Sequence, residues 1–333
     1  MTVTDTSGGA PESPDAPDTS EAPVLAIDIG GTKMAVGAVD ARGEVLASFR
    51  VPTPAGADAD GEALYAALLD AVDQLPYERG AYRAVGVGCG GPMRWPAGEV
   101  SPLNIPGWRG FPLRWRLEAD FRRDVRLHND AICLAAAEHW QGAGRGAANM
   151  LGMVVSTGVG GGLILGDRLI DGAKGNAGHI GHIVVDQETP CACGGTGCLE
   201  AVASGPRMAA WAAAQGWRAG QESRTGKDLT DDARAGDGIA EAAFTRAGTA
   251  LGVAIAGAAA LCDLELVTIG GGIVQAGELL FEPLRGALHR HARLDFTKNL
   301  KVVPADLGQD AGLVGAAALI LRGDAYWSAD RAD

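Results

Sequence analysis

Two apolar runs, each ending in glycine, constrain the fold of this chain more than any other feature. Val24-Leu-Ala-Ile-Asp28-Ile runs into Gly30-Gly31-Thr32-Lys33, and Met150-Leu-Gly-Met-Val-Val-Ser156 runs into Thr157-Gly158-Val-Gly160-Gly161-Gly162. A short apolar run bounded by turn residues reads as a buried strand. The same strand-to-glycine unit far apart in one chain implies two related α/β lobes rather than one sheet, and 333 residues can give each lobe its own core. The first unit continues as a predicted hairpin over 34–40 and 44–51, turning at Ala41-Arg42-Gly43. Leu64, Leu68, Ala71, Val72 and Leu75 recur at helical spacing, and 84–89 reads as a further strand. A third apolar run, Glu265-Leu-Val-Thr-Ile269, enters Gly270-Gly271-Gly272. Residues 216–238 read as a polar surface excursion, and 1–22, acidic with Pro11, Pro14 and Pro17, as a disordered tail.

A glycine loop after a strand is often only a turn, so the side chains beside it matter. In the first loop Asp28 places a carboxylate at a strand end, followed by bare backbone at Gly30 and Gly31, the Thr32 hydroxyl and the Lys33 cation. That grouping can hold Mg²⁺ near Asp28 and phosphate oxygens against Thr32 and the loop amides. Ser156, Thr157 and Gly158 offer hydroxyl and amide donors with nothing blocking approach. Neither loop has the form of a Walker A or dinucleotide fingerprint. Two phosphate-type loops on two lobes point to a nucleotide held between them. Asn129-Asp130 follows Val125-Arg-Leu-His128 and leads into a helical stretch. Asp130 there is either a helix cap or, in a cleft holding nucleotide and a hydroxyl substrate, the carboxylate that takes the hydroxyl proton.

Cys191-Ala-Cys193-Gly-Gly-Thr-Gly-Cys198-Leu-Glu200, with Gly178-His179-Ile-Gly-His182 upstream, carries the second chemical signal. Cys191, Cys193, Cys198 and His182 supply the four N/S ligands of a closed tetrahedral zinc site. A disulfide is the weaker reading, because one intervening residue is a poor span for pairing Cys191 with Cys193. Glu200 and His182 at the edges of the element would let the metal shape a polar pocket. Cys89, Cys133 and Cys262 stand in apolar surroundings and read as buried small hydrophobes.

The net charge of −13 argues against general nucleic-acid binding, which depends on clustered Lys and Arg. No uninterrupted apolar run reaches the roughly 18 residues of a membrane span, and the start lacks the basic-then-apolar order of a secretory signal. The expectation is a cytoplasmic protein that binds neither nucleic acid nor membrane.

Taken in order, Asp28-x-Gly-Gly-Thr-Lys33, Asn129-Asp130, Ser156-Thr157-Gly158-x-Gly-Gly, His182 and Cys-x-Cys-Gly-x-x-Gly-Cys-x-Glu200 resemble the ROK (repressor, open reading frame, kinase) family over about 24–321. The resemblance implies an α/β, two-lobed, actin-like (ribonuclease H-like) ATPase fold with an interlobe cleft and a structural zinc loop. It implies a small lobe over 23–131, completed by a C-terminal helix over 311–322, and a large lobe over 132–310. It also implies ATP with transient Mg²⁺, structural Zn²⁺, a homo-oligomer (dimer or tetramer), and a sugar whose O6 is phosphorylated. Asp130 would be the general base; Asn104, Asn129, His179, His182 and Glu200 would hold the sugar; Gly270, Gly271 and Gly272 would border the adenosine. Hexokinase-type members usually have Glu-x-Gly-His where this chain has His179-Ile-Gly-His182. That string, Ser101-Pro-Leu-Asn104 and Phe111-Pro-Leu113 are similar to bacterial N-acetylmannosamine kinases, with glucokinase the alternative. The family also includes sugar-responsive repressors, which need a DNA-reading module ahead of the core. A zinc hydrolase would need an open metal position, and four ligands leave none.

Overall fold

A computed structural model describes residues 22–56, 59–218 and 225–329. The predicted tail at 1–22 falls, save its last residue, outside them. Strands β1 (Val24–Ile29), β2 (Lys33–Val39), β3 (Val45–Pro52), β4 (Val85–Cys89) and β7 (Val125–Asn129) form one five-stranded sheet in the order β3-β2-β1-β4-β7. Between them a small hairpin, β5 (Met93–Arg94) and β6 (Glu99–Val100), stands apart. The second sheet has the order β10-β9-β8-β11-β12, from β8 (Met150–Val155), β9 (Val159–Leu165), β10 (Arg168–Leu169), β11 (Leu266–Gly270) and β12 (Lys301–Pro304).

The two sheets repeat one topology. In each, the first strand pairs antiparallel with a hairpin partner on one side and parallel with a later strand on the other. The parallel strands are near-continuous apolar runs because helices cover both their faces. Register then fixes the site's position. Ile29, Cys89 and Asn129 lie in one row across β1, β4 and β7, so Asp28, Gly90 and Asp130 share the carboxyl edge of that sheet. Val154 and Gly270 pair across β8 and β11, bringing Ser156 and Gly271 to the matching edge of the second sheet. Ligands of open α/β sheets bind outside such edges.

Two helices join the lobes. The helix Asp130–Gln141 lies on the second sheet, its Ala135 against Gly152 and Gly162. The helix Ala311–Leu321 clusters Leu313, Ala316 and Ala317 with Val24, Ala26, Ala35 and Val39 of the first sheet. Any side chain on Gly315 would collide with the Cys133 backbone, so glycine there sets how closely the two helices pack. The first lobe's core gathers Leu25, Ile27, Leu64, Leu68 and Leu117; the second's gathers Met153, Leu199, Phe244, Leu251 and Leu284.

Two details differ from the sequence reading. The interruption at 216–238 contains a helix, Gly226–Arg234, opened by a reciprocal capping box between Thr225 and Asp228, with Leu229, Thr230 and Ala233 buried. Cys262, expected in the core, is half-buried at the end of the helix Gly238–Cys262, while Cys89 and Cys133 are fully buried. By length and composition that helix could cross a membrane, yet Ala240, Phe244, Ala247, Leu251 and Ile255 are core residues, which accounts for its apolar sequence.

Candidate active site

Around the first glycine loop the structure gathers more than the motif itself. Gly30 N–H donates to the Lys33 carbonyl at 3.0 Å, and the buried Thr53 hydroxyl donates to the Gly30 carbonyl at 2.7 Å. Gly31, Thr32 and Lys33 are exposed, so a ligand can reach this pinned backbone. Asp28 stands beneath it; a side chain on Gly312 would collide with its carboxylate. Burial and then the charge of Asp130 raise the Asp28 pKa from 3.8 to about 7, against the pull of Lys33 and Arg50. A carboxylate so disfavoured in its charged form gains from a cation placed beside it. Asn104, in an exposed turn, presses its Cβ toward Gly31, and its neighbour Leu103 N–H bonds the Gly91 carbonyl at 3.2 Å.

The Asn129–Asp130 turn gives the N-cap position to Asn129. Asn129 is the helix N-cap, its Oδ1 accepting from Ala131 N–H at 3.0 Å. Asp130 is the first helical residue, and its Oδ1 also accepts from Ala131 N–H, at 2.8 Å. With the cap supplied by Asn129, a second acceptor on that N–H adds little to the helix. Burial holds the Asp130 pKa above its usual value, against the lowering effect of its backbone hydrogen bonds. A Cβ on Gly90 would lie 3.8 Å from Asp130 Oδ2; one on Gly91 would lie 3.1 Å from Asn129 Nδ2 and 4.0 Å from His179 Nε2. Asp130, Asn129 and His179 therefore converge on the Gly90-Gly91 backbone.

His179 enters from the second lobe ahead of a 3₁₀ turn, Ile180–His182. Its ring is exposed, yet burial by its surroundings holds its pKa below 6.5, aided by the charge of His182 and opposed by an Asn176 backbone hydrogen bond and Glu200. It is therefore a neutral donor–acceptor at physiological pH. Its ring lies nearly parallel to that of His182, 6.4 Å away. Glu200 closes the same wall: its Oε2 accepts from Val159 N–H at 2.9 Å and lies over Gly158, so it touches the second glycine loop. Ser156 N–H bonds the Gly158 carbonyl at 2.9 Å, and the Ser156 carbonyl accepts from Gly205 N–H at 2.8 Å. Gly271, at φ +100°, passes so close to Val155 that a side chain would strike its backbone. The second and third loops thus meet at the carboxyl end of β8, and Gly160 of the second loop packs on Ala131, directly after Asp130.

Behind His182, the donor atoms of His182, Cys191, Cys193 and Cys198 all lie within 4.8 Å of one another. Cys193 Sγ and Cys198 Sγ are 3.7 Å apart, and His182 Nδ1 is 4.0 Å from Cys191 Sγ. Thiolates about 2.3 Å from a tetrahedral zinc stand roughly 3.8 Å apart, whereas a disulfide needs about 2.05 Å. Burial pushes the Cys198 thiol up to about 12, with its two cysteine neighbours adding to the effect. A cation at the centre would favour the thiolate form and give all four donors a shared partner. The donor set and spacing fit zinc.

Residues 24–322 match the ROK family model. The chain belongs to the ROK family. It is 34% identical to a glucokinase of Halalkalibacterium halodurans over 89% of this chain and 94% of that one, and 36% identical to an N-acetylmannosamine kinase of Shigella flexneri over 89% and 97%. A ROK family glucokinase of Streptomyces griseus, solved with glucose and AMPPNP, superposes with a TM-score of 0.77 at 33% identity, covering 89% of this chain and 98% of that one.

In this ROK protein several site-shaping residues escaped the sequence reading. Gly90 and Gly91 form the backbone on which the polar groups converge, but a Gly-Gly-Pro string looks like any turn. Arg109 donates to the carbonyls of Pro102, Ile105 and Trp108 at 2.6, 3.0 and 2.9 Å, and to Leu103 at 3.4 Å, clamping the turn that carries Asn104. Thr53 and Gly205, which pin the first and second loops, carry no motif. The short Gly90–Asn104 excursion between a strand and a helix was the one available signal, since such loops carry function in α/β folds.

Proposed function

We propose that this ROK protein is an ATP-dependent sugar kinase that phosphorylates O6 of N-acetylmannosamine, with glucose as the second reading. Supporting the kinase reading are two glycine loops at the carboxyl edges of two sheets, with Asp130 on the turn between them. The sugar lies against Gly90-Gly91, and Asn104, Asn129, His179, His182 and Glu200 bond its hydroxyls. Asp130 accepts the O6 proton as O6 bonds the γ-phosphorus and the bond to the ADP leaving group breaks. Burial raises the Asp130 pKa above its usual value, which makes its carboxylate a stronger base toward the O6 proton.

Phosphate oxygens lie against Thr32, Lys33, Ser156, Thr157 and the loop amides, while Gly270, Gly271 and Gly272 border the adenosine. Asp28 and the first loop are the groups that would hold Mg²⁺, which when bound offsets charge developing on the phosphates. His182, Cys191, Cys193 and Cys198 would hold zinc. Held there, the ion would contribute structurally, fixing the His182 ring and through it the wall formed with His179.

The observation that carries the choice of sugar is His179. It stands beside Asn129 as a neutral imidazole where hexokinase-type relatives place a carboxylate, and so offers a donor as well as an acceptor. The glucokinase relatives favour the second reading. ADP release measured against a panel of hexoses and N-acetylhexosamines tests both. A larger kcat/KM for glucose than for every N-acetylhexosamine overturns the first; no turnover on any sugar overturns the kinase reading.

A further inference from the structure

We propose that His128, Asp171 and the C-terminal Trp327-Ser328 form a positioning device that sets Asn129–Asp130 and His179 in one frame; this rests on the kinase reading above. Asn129 N–H donates to His128 Nδ1 at 2.8 Å, so that nitrogen carries no proton. Nε2 therefore bears it and donates to Asp171 Oδ1 at 2.9 Å. His128 is wholly buried and Asp171 is 6% exposed. The second Asp171 oxygen accepts the Ser328 hydroxyl, and the Asp171 carbonyl accepts from Ala177 N–H at 3.0 Å.

These contacts close a ring around the sugar side of the cleft. His128 immediately precedes the Asn129–Asp130 turn on β7. Asp171 opens the loop that leads through Ala177 to His179. One face of His128 stacks on Trp95 at 5.6 Å, and Trp95 meets Trp327 edge-on, also at 5.6 Å. Gly175, in the same loop at φ +69°, packs on Trp95, which lies three residues beyond the Gly91-Pro92 bond. Arg114 and Arg126 lie over the Trp327 ring at 5.7 and 5.8 Å, holding the C-terminal segment in place. Each chain segment in the ring other than the C-terminal one continues into a residue of the proposed site. A buried ionisable pair is a poor source of net stability compared with apolar packing. What it supplies is orientation: a carboxylate on one ring nitrogen fixes tautomer and plane, as the third member of a nucleophile–base–orienter set does.

The test compares the wild-type chain with Asp171→Asn, Ser328→Ala and His128→Phe, the last keeping the ring on Trp95 while removing both hydrogen bonds. The readouts are kcat, KM for sugar, KM for ATP and thermal midpoint. A displacement of about 1 Å at the reacting groups costs about 10²-fold, so Asp171→Asn and His128→Phe should lose about that in kcat and raise the sugar KM. Ser328→Ala should lose roughly 3–10-fold, scaled down from the same figure because it removes one outer hydrogen bond. KM for ATP should stay within twofold of wild type in every folded variant. Should His128→Phe fail to fold, the two milder variants decide. Wild-type kcat and sugar KM in both, or losses that move the ATP KM equally, overturn the device. A wild-type chain inactive on every sugar refutes the kinase reading and this inference together; an active one with unaffected variants refutes this inference alone.

Discussion

Replacing Asp130 by Asn exchanges one oxygen for an NH₂ group and should separate catalysis from stability in opposite directions. The helix cap survives because Asn129 supplies it. The amide cannot take a proton, so turnover should fall about 10²–10⁴-fold while nucleotide binding persists. Stability should rise. Folding lifts the Asp28 pKa from 3.8 to about 7, burial first and the Asp130 charge second. That shift of about three units corresponds to roughly 4 kcal/mol against the charged form. Repulsion from the Asp130 carboxylate supplies the second-largest part of it, after burial. Because the folded state holds the Asp28 proton more tightly, it binds more protons than the unfolded chain between about pH 4 and pH 7, and stability falls as pH rises through that window. Asp130→Asn removes the repulsive part, and also a second carboxylate that burial disfavours in its charged form. Without nucleotide or Mg²⁺, the variant should melt a few degrees above wild type at pH 8, at roughly 2–4 °C per kcal/mol, and the gap should shrink by pH 5. Differential scanning calorimetry at the two pH values, with ADP release at pH 8, measures both arms. A variant within about tenfold of wild-type turnover, or one less stable at pH 8, refutes the reasoning.

Cys193→Ser should take the chain from one zinc to none by elemental analysis and weaken sugar binding in calorimetry; a fully active metal-free protein defeats the zinc reading. His179→Glu should move the kcat/KM ratio toward glucose and away from N-acetylmannosamine, since a carboxylate accepts from a free hydroxyl but offers no donor. An unchanged ratio removes His179 from the specificity argument. Arg109→Ala should loosen the Asn104 turn by releasing four carbonyls, raising sugar KM roughly tenfold at near-constant kcat, and Arg109→Lys should not rescue it because an ammonium lacks the planar fork.

What could be read from the sequence divides along a physical line. The strand runs entering glycine, the hairpin after the first loop and the Cys-x-Cys-x₄-Cys element all depend on local spacing, and each stands in the structure near its expected position. Asn129–Asp130 was legible as a turn, but the assignment of the cap to Asn129 needed the coordinates of Ala131 N–H. The helix at 226–234 was missed because its polar, glycine-flanked composition hid a Thr225–Asp228 capping box that spacing alone could have revealed. The rest of the site was illegible for a different reason. Arg109 clamps carbonyls up to seven residues away, Thr53 reaches back to Gly30, and His128 meets Asp171 and, through it, Ser328. None belongs to a motif, because each acts by bonding backbone or a partner from another element rather than ligand. Motifs record what touches substrate; the groups that hold those motifs still are chosen by tertiary register. In this chain that register is set where β1, β4 and β7 end in one row, so the Asp28–Asp130 repulsion that costs stability comes from the same alignment that places both carboxylates at the cleft.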